Sequence, residues 1–182
     1  GGLEIVSDGN NSVVGSVDFK GQPFGVGAVA YDAGNGHLYA TNGPLDTVSV
    51  ISDSAQSVLA TILVGGGLGS APTGVAYDTG NGDIYVTCVD SDSISVIASS
   101  TNKVVAVLPN VGHRPTGVAY DSASRRLYVA DSGSNATSAG RGWPPPPPTN
   151  YSVTVISDSN NTVVGRIWLG NRVPHAIAYD SR

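Results

Sequence analysis

With 182 residues, a formal net charge of −5 and a pI near 4.8, the chain is long enough for one domain with a substantial core and is a poor match for nucleic acid. A single cysteine, Cys88, excludes an internal disulfide, and no run of about 20 apolar residues is present to cross a membrane as a helix. Charged residues are only 13 %, against roughly 25 % in soluble domains, so Ser, Thr, Asn and Gly must cover the surface.

In chain order, Gly1-Gly2 reads as a mature or excised start, without a signal peptide. Two strand-like runs follow at 3–8 and 12–19. Then comes Gly27-Ala28-Val29-Ala30-Tyr31-Asp32, followed by His37-Leu38-Tyr39-Ala40-Thr41-Asn42. The same pair of blocks returns as Pro72-Thr73-Gly74-Val75-Ala76-Tyr77-Asp78 with Asp83-Ile84-Tyr85-Val86-Thr87. It returns again as Pro115-Thr116-Gly117-Val118-Ala119-Tyr120-Asp121 with Arg126-Leu127-Tyr128-Val129-Ala130-Asp131. Pro174-His175-Ala176-Ile177-Ala178-Tyr179-Asp180 is a fourth copy of the first block. Tyr31, Tyr77, Tyr120 and Tyr179 recur at intervals of 46, 43 and 59 residues, and the last is stretched by an insertion at 132–150. A unit of about 40–45 residues with four strand-like runs has the length of one propeller blade.

The runs are rich in Val, Ile, Tyr and Thr, which suit a pleated sheet, and Gly, Asn, Asp, Ser or Pro bound them. No window keeps apolar spacing of three and four, so almost no helix is predicted. Small residues at Gly74, Ala76, Gly117 and Ala119 suit an innermost strand where blades converge. The outer run 104–108 is apolar on both faces, and it is predicted to be covered on both sides by neighbouring blades. The Asp that closes each first run is expected to accept hydrogen bonds from the turn after it.

Tyr39-Ala40-Thr41-Asn42, Tyr85-Val86-Thr87 and Tyr128-Val129-Ala130-Asp131 resemble the Tyr-Val-Thr-Asn signature of the YVTN β-propeller repeats, as do the flanking Val-Ser-Val-Ile and Pro-Thr-Gly-Val-Ala-Tyr blocks. Cys88 and Asp131 stand where the motif has Asn. The resemblance implies an all-β propeller of four-stranded antiparallel blades, of the kind found in surface-layer and other secreted proteins. One propeller domain spans 1–182: a partial blade at 3–19, blades at about 27–65, 73–111 and 116–170, and the first strand of a next blade at 175–180. That makes fifteen strand-like runs, where four complete blades need sixteen. The chain is then a piece of a larger propeller, a four-bladed ring closed by pairing 175–180 with the N-terminal strands, or an open ring completed by another subunit.

The insertion carries Trp143 and the run Pro144, Pro145, Pro146, Pro147 and Pro148, which favours a stiff polyproline II segment. It reads as an exposed spacer, as a contact arm for a neighbouring subunit, or as a ligand for an aromatic groove. Four Asn-x-Ser/Thr sequons, at Asn10, Asn135, Asn150 and Asn160, fall in predicted loops and are glycosylation candidates. Cys88 reads as a buried small hydrophobe or as one half of an intermolecular bridge.

Signals for chemistry are sparse. No zinc-ligand spacing, nucleophile elbow or phosphate loop is present, and no cofactor is expected. The Asp32 and Asp78 turns faintly resemble calcium loops but lack the distal Glu, so no metal is expected. His113 and His175 precede first strands next to Pro115 and Pro174, and His37 starts a second strand. Some propeller lyases that this fold resembles use a His at such a mouth, but no base partner is visible in the sequence. The expected function is an extracellular, non-catalytic structural or adhesive propeller, self-associating or contacting other cell-surface proteins or glycans through its edges and loops. The alternative is a ligand-binding or lyase-like propeller with its site near His113, Arg114 and His175.

Overall fold

The computed structural model describes residues 2–6, 9–19, 26–133 and 151–180, and residues 134–150 of the insertion lie outside them. Trp143, Pro144 to Pro148, and the sequons at Asn135 and Asn150 therefore carry no structural account. The described residues form fourteen strands: β1 (Gly2–Val6), β2 (Val13–Asp18), β3 (Val29–Asp32), β4 (His37–Asn42), β5 (Thr47–Ser52), β6 (Ser57–Leu63), β7 (Pro72–Tyr77), β8 (Asp83–Cys88), β9 (Ser93–Ala98), β10 (Lys103–Pro109), β11 (Pro115–Asp121), β12 (Arg126–Asp131), β13 (Ser152–Ser157) and β14 (Thr162–Trp168). The only helical turns among them are two short 3-10 turns, Gly43–Leu45 and Val89–Ser91.

Strands β3 to β6, β7 to β10 and β11 to β14 form three antiparallel sheets, each paired in sequence order, and β1–β2 is a separate hairpin. Each unit is thus a meander. The third and fourth strands meet at a bulge that recurs at Val50/Ile51, Val104/Ala106 and Val155/Ile156. Bulges increase local twist, which lets a blade flare outward.

Each blade has a leading face, turned to the blade before it, and a trailing face, turned to the blade after it. Tyr39, Val48, Val50, Ile62 and Val64 on the trailing face of the first blade pack against Val75, Ile84, Val86, Cys88 and Ile97 of the second. Tyr85, Ile94, Val96 and Val111 of the second pack in the same way on Val118, Leu127, Val129 and Ile156 of the third. The hairpin covers the outer part of the first blade's leading face through Val17, Phe19 and Ile51. Inner strands approach so closely that a Cβ at Gly74 would collide with the Thr116 carbonyl oxygen. That crowding was readable from the small residues.

Two expectations are corrected. The outermost strands are not covered on both faces: β10 alternates, with Val105 and Val107 exposed, and β14 is exposed along most of its length. Blades diverge outward, so it is the third strands, β5, β9 and β13, that are sandwiched. Segment 175–180 forms no ladder, either with β1–β2 or with anything else described. It still lies beside β11, where Ala176 approaches Gly117 and Tyr179 faces Asp121. That is the place of a next first strand, but without a second strand it has nothing to pair with.

Candidate functional site

The residues that the repeat conserves join one blade to the next. The Tyr39 hydroxyl donates to Asn102 Oδ1 at 2.8 Å, and the Tyr85 hydroxyl donates to Asn161 Oδ1 at 2.7 Å. Thr41 Oγ1 donates to the Thr73 carbonyl at 2.9 Å, and Thr87 Oγ1 donates to the Thr116 carbonyl at 2.7 Å. The Tyr of each Tyr-Asp pair faces the Asp of the preceding blade, Tyr77 toward Asp32, Tyr120 toward Asp78 and Tyr179 toward Asp121, and the Tyr120 hydroxyl donates to Asp158 Oδ2 at 3.0 Å. Each such Asp also accepts from its own turn, through Gly34 N at 2.8 Å, Gly80 N at 2.7 Å and Ala123 N at 2.9 Å. One oxygen of each carboxylate is thus engaged in its turn, which accounts for the resemblance to calcium loops, while Oδ2 of Asp32 and of Asp78 is buried without a partner. Among the described residues, no group of three or more His, Cys, Asp or Glu side chains could hold a metal ion.

At the opposite end of the blades, the turns between second and third strands meet the loops that lead into the next blade. Asp46, at left-handed φ 56, accepts from Gly69 N at 2.6 Å, Ser70 N at 2.7 Å, Ala71 N at 2.8 Å and the Ser70 hydroxyl at 3.1 Å. Burial pushes its carboxyl up, but these donors outweigh burial and hold it below the usual carboxylate value. Asp92 takes the same place one blade on, accepting from Arg114 N at 2.8 Å and facing His113 Nδ1 at 3.2 Å. Arg114 Nη1 pairs with Asp90 at 2.8 Å.

Behind this cluster lies Asp131, fully buried. Its Oδ2 is 2.6 Å from Ser152 Oγ and 2.7 Å from Thr154 Oγ1, and its Oδ1 has no partner. Thr154 Oγ1 is also 2.8 Å from the Val111 carbonyl. One hydroxyl proton cannot serve both oxygens, so a proton on Asp131 Oδ2 would supply the missing donor to Thr154 Oγ1, while Oδ1 stays without a partner. Burial pushes the Asp131 carboxyl up, in line with that reading, while Ser152 and Thr154 pull it down. A Cβ at Gly112 would overlap the Asp131 carboxylate, so this loop position requires glycine.

The structure thus joins His113 and Arg114 to two carboxylates. His175 is exposed and shares no hydrogen bond or ion pair with the cluster, and His37 lies at the start of β4 with a buried Nδ1 that lacks a partner. Sequence reading missed Asp92 as the partner of His113. The signal was there in the parallel with Asp46, since both residues sit one position before a third strand. Cys88 is buried, and burial raises its thiol. The sequon residues Asn10 and Asn160 are exposed, each in the turn between a third and a fourth strand. A cavity of about 550 Å3 lies elsewhere, between the hairpin and the first blade. It is lined by Val17, Phe19, Gln56, Val58 and Thr61, with Asp18 as its one ionisable group.

Radially arranged four-stranded antiparallel blades joined in this way define the chain as a β-propeller protein. The sequence matches no family model and no curated protein. Solved structures give the fold: hydrazine synthase from Kuenenia stuttgartiensis matches with a TM-score of 0.73 at 22 % identity, over 96 % of this chain and 43 % of that one. Virginiamycin B lyase from Staphylococcus aureus matches with a TM-score of 0.73 at 15 % identity, over 98 % of this chain and 53 % of that one. The chain spans about half the length of these structures. At such identities the similarity concerns the fold alone.

Proposed function

We propose that this chain is a non-catalytic propeller module that acts through protein–protein contacts, as a structural or adhesive unit of an extracellular layer, sheath or fibre. One observation carries the reading: Val6 and Val29 on the leading side and Ile167 on the trailing side of the third blade are exposed, where their counterparts Ile51, Val75 and Ile62 are buried between blades. Apolar side chains left uncovered where the repeat elsewhere buries them suit a contact surface. The few charges, the hydroxyl-rich surface and the exposed sequons at Asn10 and Asn160 suit a cell-surface setting, and the Tyr-Val-Thr-Asn blocks suit the YVTN-type repeats. Trp143 and Pro144 to Pro148 supply a second contact arm. Light scattering with negative-stain imaging tests the reading: ordered oligomers or filaments are expected, and a monomer at every concentration overturns it.

The alternative, a ligand-binding or lyase-like site, is favoured by the His113–Asp92 contact. A carboxylate on Nδ1 leaves Nε2 for a proton transfer. Its test is a screen of small polar ligands read by NMR at the His113 ring. A ligand whose binding is lost in His113→Ala would move the assignment to this reading.

A further inference from the structure

The junction between the second and third blades carries a pair of residues that the junction before it lacks. In the second blade the Gly82 carbonyl accepts from Ser99 N, and in the third the Arg125 carbonyl accepts from Asp158 N in the same way. Gly82 and Ser99 thus give way to Arg125 and Asp158. Arg125 stands at φ 56, a left-handed conformation that suits glycine and that Gly82 adopts at φ 80. Its side chain has a task there, because Arg125 Nε meets Asp158 Oδ2 at 3.1 Å.

Asp158 brings a second carboxylate to the turn of Asp78, and both are buried. A Cβ at Gly80 would lie 2.6 Å from the Tyr120 hydroxyl, 3.1 Å from Asp78 Oδ1 and 3.5 Å from Asp158 Oδ2, so the three groups close on one point. Tyr120 faces both carboxylates but has one proton to give, and it donates to Asp158. Asp78 Oδ2 and Asp158 Oδ1 are buried without a partner. Among the described residues, the titratable groups around Asp78 are Asp83 and Tyr85 on β8, Tyr120 on β11, Arg125 in the turn before β12 and Asp158 after β13. Three carboxylates therefore share one guanidinium.

We infer that this junction is a proton-operated latch between two blades. Asp78 Oδ2 takes a proton from solvent and donates it to the Tyr120 oxygen, Tyr120 donates its own proton to Asp158, and Arg125 meets the charge that remains. Each donor then has one acceptor, and one of two facing charges is gone. With Asp78 ionised, both carboxylates compete for the single Tyr120 proton, and Asp78 Oδ2 stays buried without a donor. Burial, the largest influence, pushes the Asp78 carboxyl above its ordinary 3.8; the Gly80 amide and Tyr120 act against it, and the Asp158 charge adds to it. A raised folded value means that the latch contributes fully below 3.8 and is lost as pH rises through the folded value. The latch lies between two complete blades and does not depend on the contacts proposed above.

The test is a carbon-13 NMR titration of the aspartate carboxyls in the full chain, with Asp78→Asn and Asp158→Asn. The wild type is expected to show a resonance that titrates above 3.8, is absent from Asp78→Asn and moves to lower pH in Asp158→Asn, where the facing charge is gone. Arg125→Gly, at an exposed place where the second blade has Gly82, serves if Asp158→Asn fails to fold; loss of the guanidinium is expected to move the resonance to higher pH. Hydrogen exchange reads the latch itself. Protection in β8 and β11, corrected for intrinsic rates, is expected to fall by up to about tenfold per pH unit as Asp78 ionises, and Asp78→Asn is expected to abolish that fall. An Asp78 resonance that titrates at or below 3.8, or that responds to neither Asp158→Asn nor Arg125→Gly, overturns the shared proton. Protection that falls as steeply in Asp78→Asn overturns the latch. Stabilisation of the wild type by ~5 mM calcium that is absent from Asp78→Asn makes the pair a cation site and overturns the inference too.

Discussion

Asp46, in the turn before β5, and Asp131, at the end of β12, are both buried and carry opposite linkage, and their surroundings decide the sign. Asp46 is held below its ordinary value of 3.8 by three backbone N–H donors and a hydroxyl. The stability it contributes is present above that value and is lost as pH falls through its lower folded value. Asp46→Ala is expected to cost about 2–3 kcal/mol at pH 7, and much less in strong acid, by chemical denaturation at both pH values. Asp131 is pushed above 3.8 by burial, so its contribution is present in acid and is lost as pH rises through its folded value. Asp131→Asn is expected to stabilise the protein by on the order of 1 kcal/mol at pH 7 and to do little near pH 3. Asn42 shows that the amide fits: its Nδ2 donates to Ser49 Oγ at 2.9 Å and Thr47 Oγ1 at 3.2 Å. The departure of Asp131 from the repeat was legible in the sequence. Its orphaned oxygen and its place behind His113 were not, because both depend on how the loop at Gly112 packs.

At the scale of the element, a second strand is held by what it offers the next blade. Tyr85→Phe removes the bond to Asn161 and is expected to cost about 1 kcal/mol. Thr87→Val removes the donor to the Thr116 carbonyl and the acceptor for Gly74 N at 2.8 Å, both buried, and is expected to cost about 2–3 kcal/mol. Thermal or urea melts measure both. Burial and nearby carboxylates, against the Asn81 bond, push the Tyr85 phenol up to about 12, so its ionisation should trail that of exposed tyrosines in a spectrophotometric titration. Fourth strands behave differently: Val105→Thr on β10 is expected to change stability by less than about 0.5 kcal/mol, since the side chain is exposed. The apolar run 104–108 misled because composition shows how apolar a strand is, while the spread of the blades decides how much of it is covered.

For the whole molecule, stability is a chain of nearest-neighbour interfaces, and the second blade is the one flanked by complete blades on both sides. Hydrogen exchange should therefore be slowest in β8 and β9, whose residues are almost all buried, and fastest in β14 and 175–180. Equal protection across the three blades would mean that the uncovered faces are covered in solution. Peptide-level exchange at low and high protein concentration separates the two, because docking should slow β1, β3 and β14 only when concentrated.

The sequence by itself determined the blade, because a period of about 43–46 residues with four strand-like runs and turn residues between them has few other solutions. It also determined the crowding of the first strands, since only small side chains fit there. Tertiary structure alone decided that the second-strand Tyr and Thr of the repeat bond to the next blade rather than within their own. It alone paired His113 with Asp92 and left 175–180 without a ladder. Those outcomes depend on the relative placement of segments about 20 to 76 residues apart, as in Arg114 with Asp92 and Tyr85 with Asn161. Local pattern carries no information on such placement, whereas a β-meander is specified by neighbours a few residues away.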